Sequence, residues 1–400
     1  MKSIRVVSLI ILIVLVLSGG IPSLAEQPKD DATGLLPARE NETLMKILPE
    51  TMKRFKYDSG LVFEYPDAVR GIYVTGHSAG GAKFPQLVDL IDHTDLNSMV
   101  IDLKDDWGNL TYIPDGESPY HAIGKPYIKN PSEMLKTLEQ KKIYPIARVV
   151  VFKDTVLANM KPELSFKNAS TIWSNGRGES FVNPFLKEVW DYNVGIAIEA
   201  ARMGFQEIQF DYVRFPEGFE TRDKSLKYSL GEYEQVEMDN VQKRVQAVTD
   251  FVAYAKEKLE PYGVKVSVDI FGYTATLPEA PGIGQNFSKI SEHIDVISSM
   301  IYPSHWTSYF GISKPDLEPY KLVTEYAKVE NSILSKLNQS PISRPWLQDF
   351  TASWLGKGNY KRYGKQEVEE QIKALNDQGI DEFLLWNAGN SYTKNVDYTP

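Results

Sequence analysis

The sequence predicts an α/β fold, a (β/α)8 TIM barrel preceded by an N-terminal signal segment and a short linker. Three observations predict it. Eight runs rich in β-branched and aromatic residues alternate with helical stretches over about 320 residues. The helix-to-strand connections are short and turn on glycine, as in Met203-Gly204-Phe205-Gln206, Pro261-Tyr262-Gly263 and Gln378-Gly379-Ile380, where glycine suits a helix C-cap. The strand-to-helix connections are long, from Lys104 to Asn130, Phe152 to Asn183 and Phe215 to Gln235. All long loops then lie at one end, the end that carries function in barrels. An open doubly wound sheet is the competing architecture, but it usually has fewer strands and lacks this uniform alternation.

The elements follow in order. Gly71 to Thr75 reads as the first strand, with a helix near Lys83 to Asp92. Met99 to Leu103 is the second, with a helix near Ser132 to Lys141. Tyr144 to Val151 is the third, with a helix near Pro184 to Met203. Ile208 to Tyr212 is the fourth, with a helix near Val236 to Glu260. Val264 to Phe271 is the fifth, with a short helix near Phe287 to His293. Val296 to Tyr302 is the sixth, with a helix near Pro319 to Leu337. Pro345 to Phe350 is the seventh, with a helix near Gln366 to Asp377. Glu382 to Trp386 is the eighth.

The first residues read differently. Lys2 and Arg5 form a positive start, Val6 to Leu17 is apolar, and Ser23-Leu24-Ala25 offers small residues for cleavage. Residues 1–25 are therefore expected to be a signal peptide, and an uncleaved anchor is the alternative. Residues 26–67 form a polar linker and helical lead-in (Asn41 to Tyr57), and 68–400 the barrel. A secreted or extracytoplasmic envelope protein is expected, meeting a membrane only through an uncleaved N-terminal segment. There are no cysteines, so stability does not depend on disulfides. The net charge is −9, and losing Lys2 and Arg5 takes it to −11. An acidic chain argues against nucleic acid as a partner. Neither GxGxxG nor GxxxxGK[ST] occurs, so nucleotide binding has no support. The histidines, at 77, 93, 121, 293 and 305, form no HExxH or HxH pattern. No metal or other cofactor is expected.

Strand parity nominates the chemistry. Val264, Val266 and Val268 share one face, against helices, which turns Ser267 and Asp269 inward. By the same rule Asp102, Gln209, Asp211 and Asp349 face inward. Asp211 and Asp269 end adjacent strands. Two carboxylates facing one cleft are the minimal kit for splitting a glycosidic bond, one as proton donor and one ionised. Arg214, folding back, would keep Asp211 ionised. Asp269, in an apolar run, would be the acid. A structural ion pair between Asp211 and Arg214 is the bland alternative.

Around this pair, substrate contacts are expected from Tyr73, Asp102, Asp105, Trp107, Arg214, Tyr302, His305, Trp306, Asp349 and Trp386. Tryptophans 107, 306, 354 and 386 lie at or past strand ends, and flat aromatics there suit sugar rings. Aromatics are 12% of the chain, which fits the same use. Trp190, inside a helix, suits core packing. Asp102 to Gly108, with Asp105 and Asp106, concentrates carboxylates but lacks the spacing of a calcium loop, and a substrate-binding or salt-bridged loop is expected there. Gly76-His77-Ser78-Ala79-Gly80 matches G-x-S-x-G and keeps a serine esterase or deacylase open, provided Ser78 meets a histidine.

Four segments carry a resemblance: Gly71 to Gly76, Asp102 to Asp105, Phe210 to Pro216 and Met300 to His305. Together they resemble a bacterial glycoside hydrolase domain family of TIM barrels, over roughly residues 68 to 390. The resemblance implies a barrel, export and a polysaccharide or oligosaccharide ligand, with Asp211 at the acidic position of the fourth-strand motif. Hydrolysis of O-glycosidic bonds is the expectation. A barrel that binds envelope polysaccharide without cleaving it is the alternative.

Overall fold

A computed structural model describes residues 56–400. The expected signal segment, and residues 26–55 of the expected linker and lead-in, lie outside the described residues. Among those described, no helix is long and apolar enough to cross a membrane.

Eight parallel strands form the barrel: β1 (Arg70–Val74), β2 (Ser98–Lys104), β3 (Tyr144–Val150), β4 (Glu207–Asp211), β5 (Lys265–Phe271), β6 (Val296–Met300), β7 (Trp346–Gln348) and β8 (Phe383–Trp386). Each pairs with the next, β8 pairs with β1, and the ring is complete. Among the described residues, the main helices that return the chain from β1 to β7 are α1 (Phe84–Asp92), α2 (Pro131–Gln140), α3 (Lys187–Met203), α4 (Asn240–Leu259), α5 (Phe287–Ser291), α6 (Pro319–Leu334) and α7 (Lys365–Asn376), with short helices Gly76–Ala79 and Thr155–Met160 in the loops after β1 and β3. The expected elements are present, with ends shifted by a few residues. The seventh strand is shorter than its sequence suggests, and Ile342–Ser343 pairs with β6 ahead of it. A small hairpin, Lys167–Asn168 with Thr171–Ile172, sits in the long loop after β3.

Local chemistry explains the ends. Asn130, Asp239 and Asn286 cap α2, α4 and α5 by accepting from backbone amides one turn in. Gly204 closes α3 at φ 115°, a left-handed conformation that side chains resist.

The β-strand period of two divides the interior from the helix-facing layer. Val266, Val268, Ile208 and Phe210 join the large outer core against the helices. Inside the barrel, Val100, Ile146, Leu384 and Trp346 pack together. Below them lies a buried charged layer. Arg344 donates to Glu207 and Glu382 at 2.7 Å each, and to the Tyr65 hydroxyl at 2.8 Å. Tyr65 precedes β1, so the chain entering the barrel closes its lower end. The upper end, where the strands finish, holds the polar side chains considered next.

Candidate active site

Asp211 ends β4, and Asp269 lies near the end of β5. The register pairs Gln209 with Ser267 and Phe210 with Val268, which brings Asp211 level with Asp269 on the inward face. Side chains on neighbouring strands at one level start about 4.8 Å apart. Both carboxylates are nearly buried, and both line a cleft of about 740 Å³ at the barrel mouth.

Their surroundings differ. Arg148, on β3, is fully buried and reaches three carboxylates. Its Nη1 donates to Asp102 Oδ1 at 2.6 Å, and its Nη2 to Asp106 Oδ1 at 2.9 Å. Its Nε and Nη2 both donate to Asp211 Oδ2, at 3.0 and 2.6 Å. The Tyr212 amide donates to Asp211 Oδ1 at 2.6 Å. Both oxygens of Asp211 are therefore fixed. Tyr212 reaches this position with φ at 53°, unusual for a tyrosine. Asp269 has no cation against it. Its Oδ1 accepts from Trp346 Nε1 at 2.8 Å. Burial, and then the neighbouring Asp211, push its carboxyl well above the ordinary 3.8.

Behind Arg148, burial raises the Asp102 carboxyl to about 6, and the Tyr73 hydroxyl donates to it. Burial would raise Asp106 too, but Arg148 and Lys153 hold it down to about 2. Lys153 Nζ lies 2.7 Å from Asp106 Oδ2 and 3.8 Å from the centre of the Tyr212 ring. Removing Arg148 would strand Asp102 and Asp211, while Asp106 would keep Lys153, and breaking one buried pair alone costs about 3–5 kcal/mol.

The cleft gathers Asp211, Asp269, Arg214, Tyr302, His305, Trp306 and Trp386 from the expected set. Arg214 does not fold back onto Asp211. The left-handed turn at Tyr212 carries the chain away, and Arg214 lies 4.8 Å from both the Tyr212 and Phe271 rings and donates to Glu217 at 3.1 Å. Arg148, not Arg214, is the ion-pair partner of Asp211.

Five expected contacts fall outside the cleft lining. Tyr73 is buried, its ring stacked on Trp386 at 4.0 Å, and Asp102 stands behind Arg148. Asp105 orders its own loop by accepting from the Trp107 and Asn109 amides at 2.9 Å. Trp107 is half-exposed, away from the cleft. Asp349 accepts from the Thr393 hydroxyl and amide and ties down the C-terminal segment. Among the described residues no group of three or more acidic or histidine side chains is placed to hold a metal ion.

Sequence reasoning missed Arg148, Arg177 and Trp346, which line the cleft together with Asp106 of the salt-bridged acidic loop. Arg148 had a legible signal, an arginine within the apolar run Tyr144 to Val151 at inward parity. Ser78 meets no histidine. Its amide bonds to Thr75 Oγ1, and the adjacent His77 stacks on Tyr127 instead.

A family described as "Putative glycosyl hydrolase domain" matches residues 71–392, nearly the whole barrel. The chain belongs to this family. A hypothetical protein from Ruminiclostridium thermocellum ATCC 27405 is 34% identical, over 50% of this chain and 96% of its own, with a TM-score of 0.42. The PgaB (BpsB) glycoside hydrolase domain from Bordetella bronchiseptica has a TM-score of 0.55 at 14% identity, covering 80% of this chain and 94% of its own. A beta-galactosidase from Marinomonas ef1 has a TM-score of 0.54 at 10% identity, over 80% of this chain and 54% of its own. Those two likenesses show the barrel fold. No curated protein matches the chain. As a member of the glycosyl hydrolase domain family, the barrel carries its two inward carboxylates in an aromatic-lined cleft at the strand ends.

Proposed function

We propose that this family member hydrolyses O-glycosidic bonds of an extracellular or cell-envelope polysaccharide with Asp211 and Asp269. One observation carries the reading: two carboxylates level on adjacent strands, one ion-paired by Arg148 and the other buried without a cation. Opposed environments split acid from base.

In this mechanism Asp269 gives its proton to the glycosidic oxygen as the bond to the anomeric carbon breaks. Asp211 supplies the negative charge that meets the oxocarbenium-like centre, and its attack forms a glycosyl ester. Water then enters, losing a proton to the Asp269 carboxylate, and its oxygen displaces Asp211 from the anomeric carbon. The strand spacing of about 4.8 Å sets only where the two side chains start, and this double displacement needs their carboxyl groups ~5–5.5 Å apart. The rings of Trp386, Tyr302 and Trp306 suit sugar faces.

The test is release of reducing ends from purified peptidoglycan strands and capsular polysaccharides by wild type and Asp211→Asn. Release by wild type and loss in the variant are expected. Binding by both without release would point to a non-catalytic polysaccharide-binding barrel.

A further inference from the structure

Five ring-bearing side chains from three successive strand ends form a row leading out of the cleft. Trp386, at the end of β8, lies 6.3 Å from Tyr302, just past β6. Tyr302 lies 5.3 Å from His305 and 6.0 Å from Phe350. Phe350, past β7, stacks on Trp354 at 5.8 Å with the ring planes 21° apart. His305 meets Trp354 edge-on at 6.4 Å. Tyr302 is 7% exposed, Trp386 and Phe350 are partly buried, and Trp354 is 65% exposed. Trp386, Tyr302 and His305 line the cleft, and Phe350 and Trp354 lie beyond it.

Trp354 sits in the single turn Ser353–Leu355, which ends at Gly356 with φ 81°. A tryptophan placed for packing would be mostly covered. This one is held by a stacked phenylalanine and a histidine edge, with most of its surface open to solvent. Its plane is set before any ligand arrives, which lowers the ordering cost of binding.

We propose that Trp354, backed by Phe350, is a distal sugar-binding platform that holds a pyranose ring of the same polysaccharide chain whose bond lies at Asp211 and Asp269. The inference rests on the glycosidase reading and adds a second contact region to it. Continuity with the cleft argues for this occupant, because the ring row begins at cleft-lining Trp386 and ends at Trp354. A flat indole accepts the apolar C–H face of a pyranose and tolerates several sugars, while cleft hydrogen bonds choose among them. The platform would favour long chains over disaccharides.

The test uses the full chain carrying Asp211→Asn, run in native gels containing purified peptidoglycan strands or capsular polysaccharide. Adding Trp354→Ala is expected to weaken binding roughly five- to tenfold, and Trp354→Tyr to recover most of it. In the active background, Trp354→Ala should raise KM for long chains more than for disaccharides, a split that general destabilisation would not give. Equal retardation with and without Trp354→Ala on every glycan that binds overturns the platform and leaves the glycosidase reading intact. Retardation by none of the glycans, with no release by wild type, overturns both.

Discussion

Arg148 and Asp211 are joined by two hydrogen bonds to one carboxylate oxygen, from Nε at 3.0 Å and Nη2 at 2.6 Å. The same guanidinium also holds Asp102 and Asp106, so it fixes the acid cluster from within the barrel. Arg148→Met is expected to cost about 3–5 kcal/mol, because buried carboxylates lose their partner. Denaturant midpoints give the stability, and sugar release is expected to fall to background. Arg148→Lys should recover some stability but little activity, since a single ammonium cannot span three acids. Equal activity in Lys and Arg forms would remove Arg148 from the positioning role.

Asp269→Asn separates chemistry from folding. The amide oxygen can still accept from Trp346 Nε1, and burial already works against the charged carboxylate. Stability is expected within about 1 kcal/mol of wild type. Activity should fall by about 10²–10⁴-fold. An aryl glycoside with a good leaving group needs less protonation, so its cleavage should fall much less. An equal loss on both substrates would take the acid role from Asp269.

Trp346→Phe tests how the acid is tuned. The indole hydrogen bond lowers the Asp269 carboxyl against the upward push of burial. Its removal should raise that group further and move the alkaline limb of kcat/KM to higher pH. The unpaired Asp269 oxygen should also cost about 1–3 kcal/mol. A downward shift of that limb would contradict the assignment.

Asp102 should shape stability against pH. Burial raises its folded value from 3.8 to about 6, so the folded state holds this proton more tightly than the unfolded chain. The resulting stabilisation is present below the unfolded value and is lost as pH rises through about 6. Asp106 acts in the opposite direction. Its value near 2 gives stability above 3.8 that is lost as pH falls through 2. Asp102→Asn should therefore flatten the decline in unfolding midpoint between pH 4 and 6. An unchanged slope would show that other groups carry it.

The barrel was legible because its strands and helices have different periods, and glycines such as Gly204 mark the returns. Parity alone placed Asp211 and Asp269 side by side, since alternation along a strand survives small errors in its ends. Arg148 stood out at inward parity in an apolar run, but its reach to acids on β2, β4 and a loop is a tertiary relationship that parity on one strand does not give. Arg214 was misassigned because three residues of sequence separation say nothing about a left-handed turn. Asp349 has the inward parity of a site residue, yet Thr393, distant in sequence, captures it. The contributions of Asp106 and Arg177 come from loops, where no period relates sequence to direction.

Tyr212 keeps its backbone in a region that favours glycine while its amide holds Asp211. A glycine there would relieve about 1 kcal/mol of local strain, yet it would free the turn and uncover Lys153. That glycine would also forfeit the ring's contacts with Lys153 and Arg214 and gain freedom in the unfolded chain, so the strained tyrosine is the more stable choice as well as the one that fixes the Asp211 oxygen.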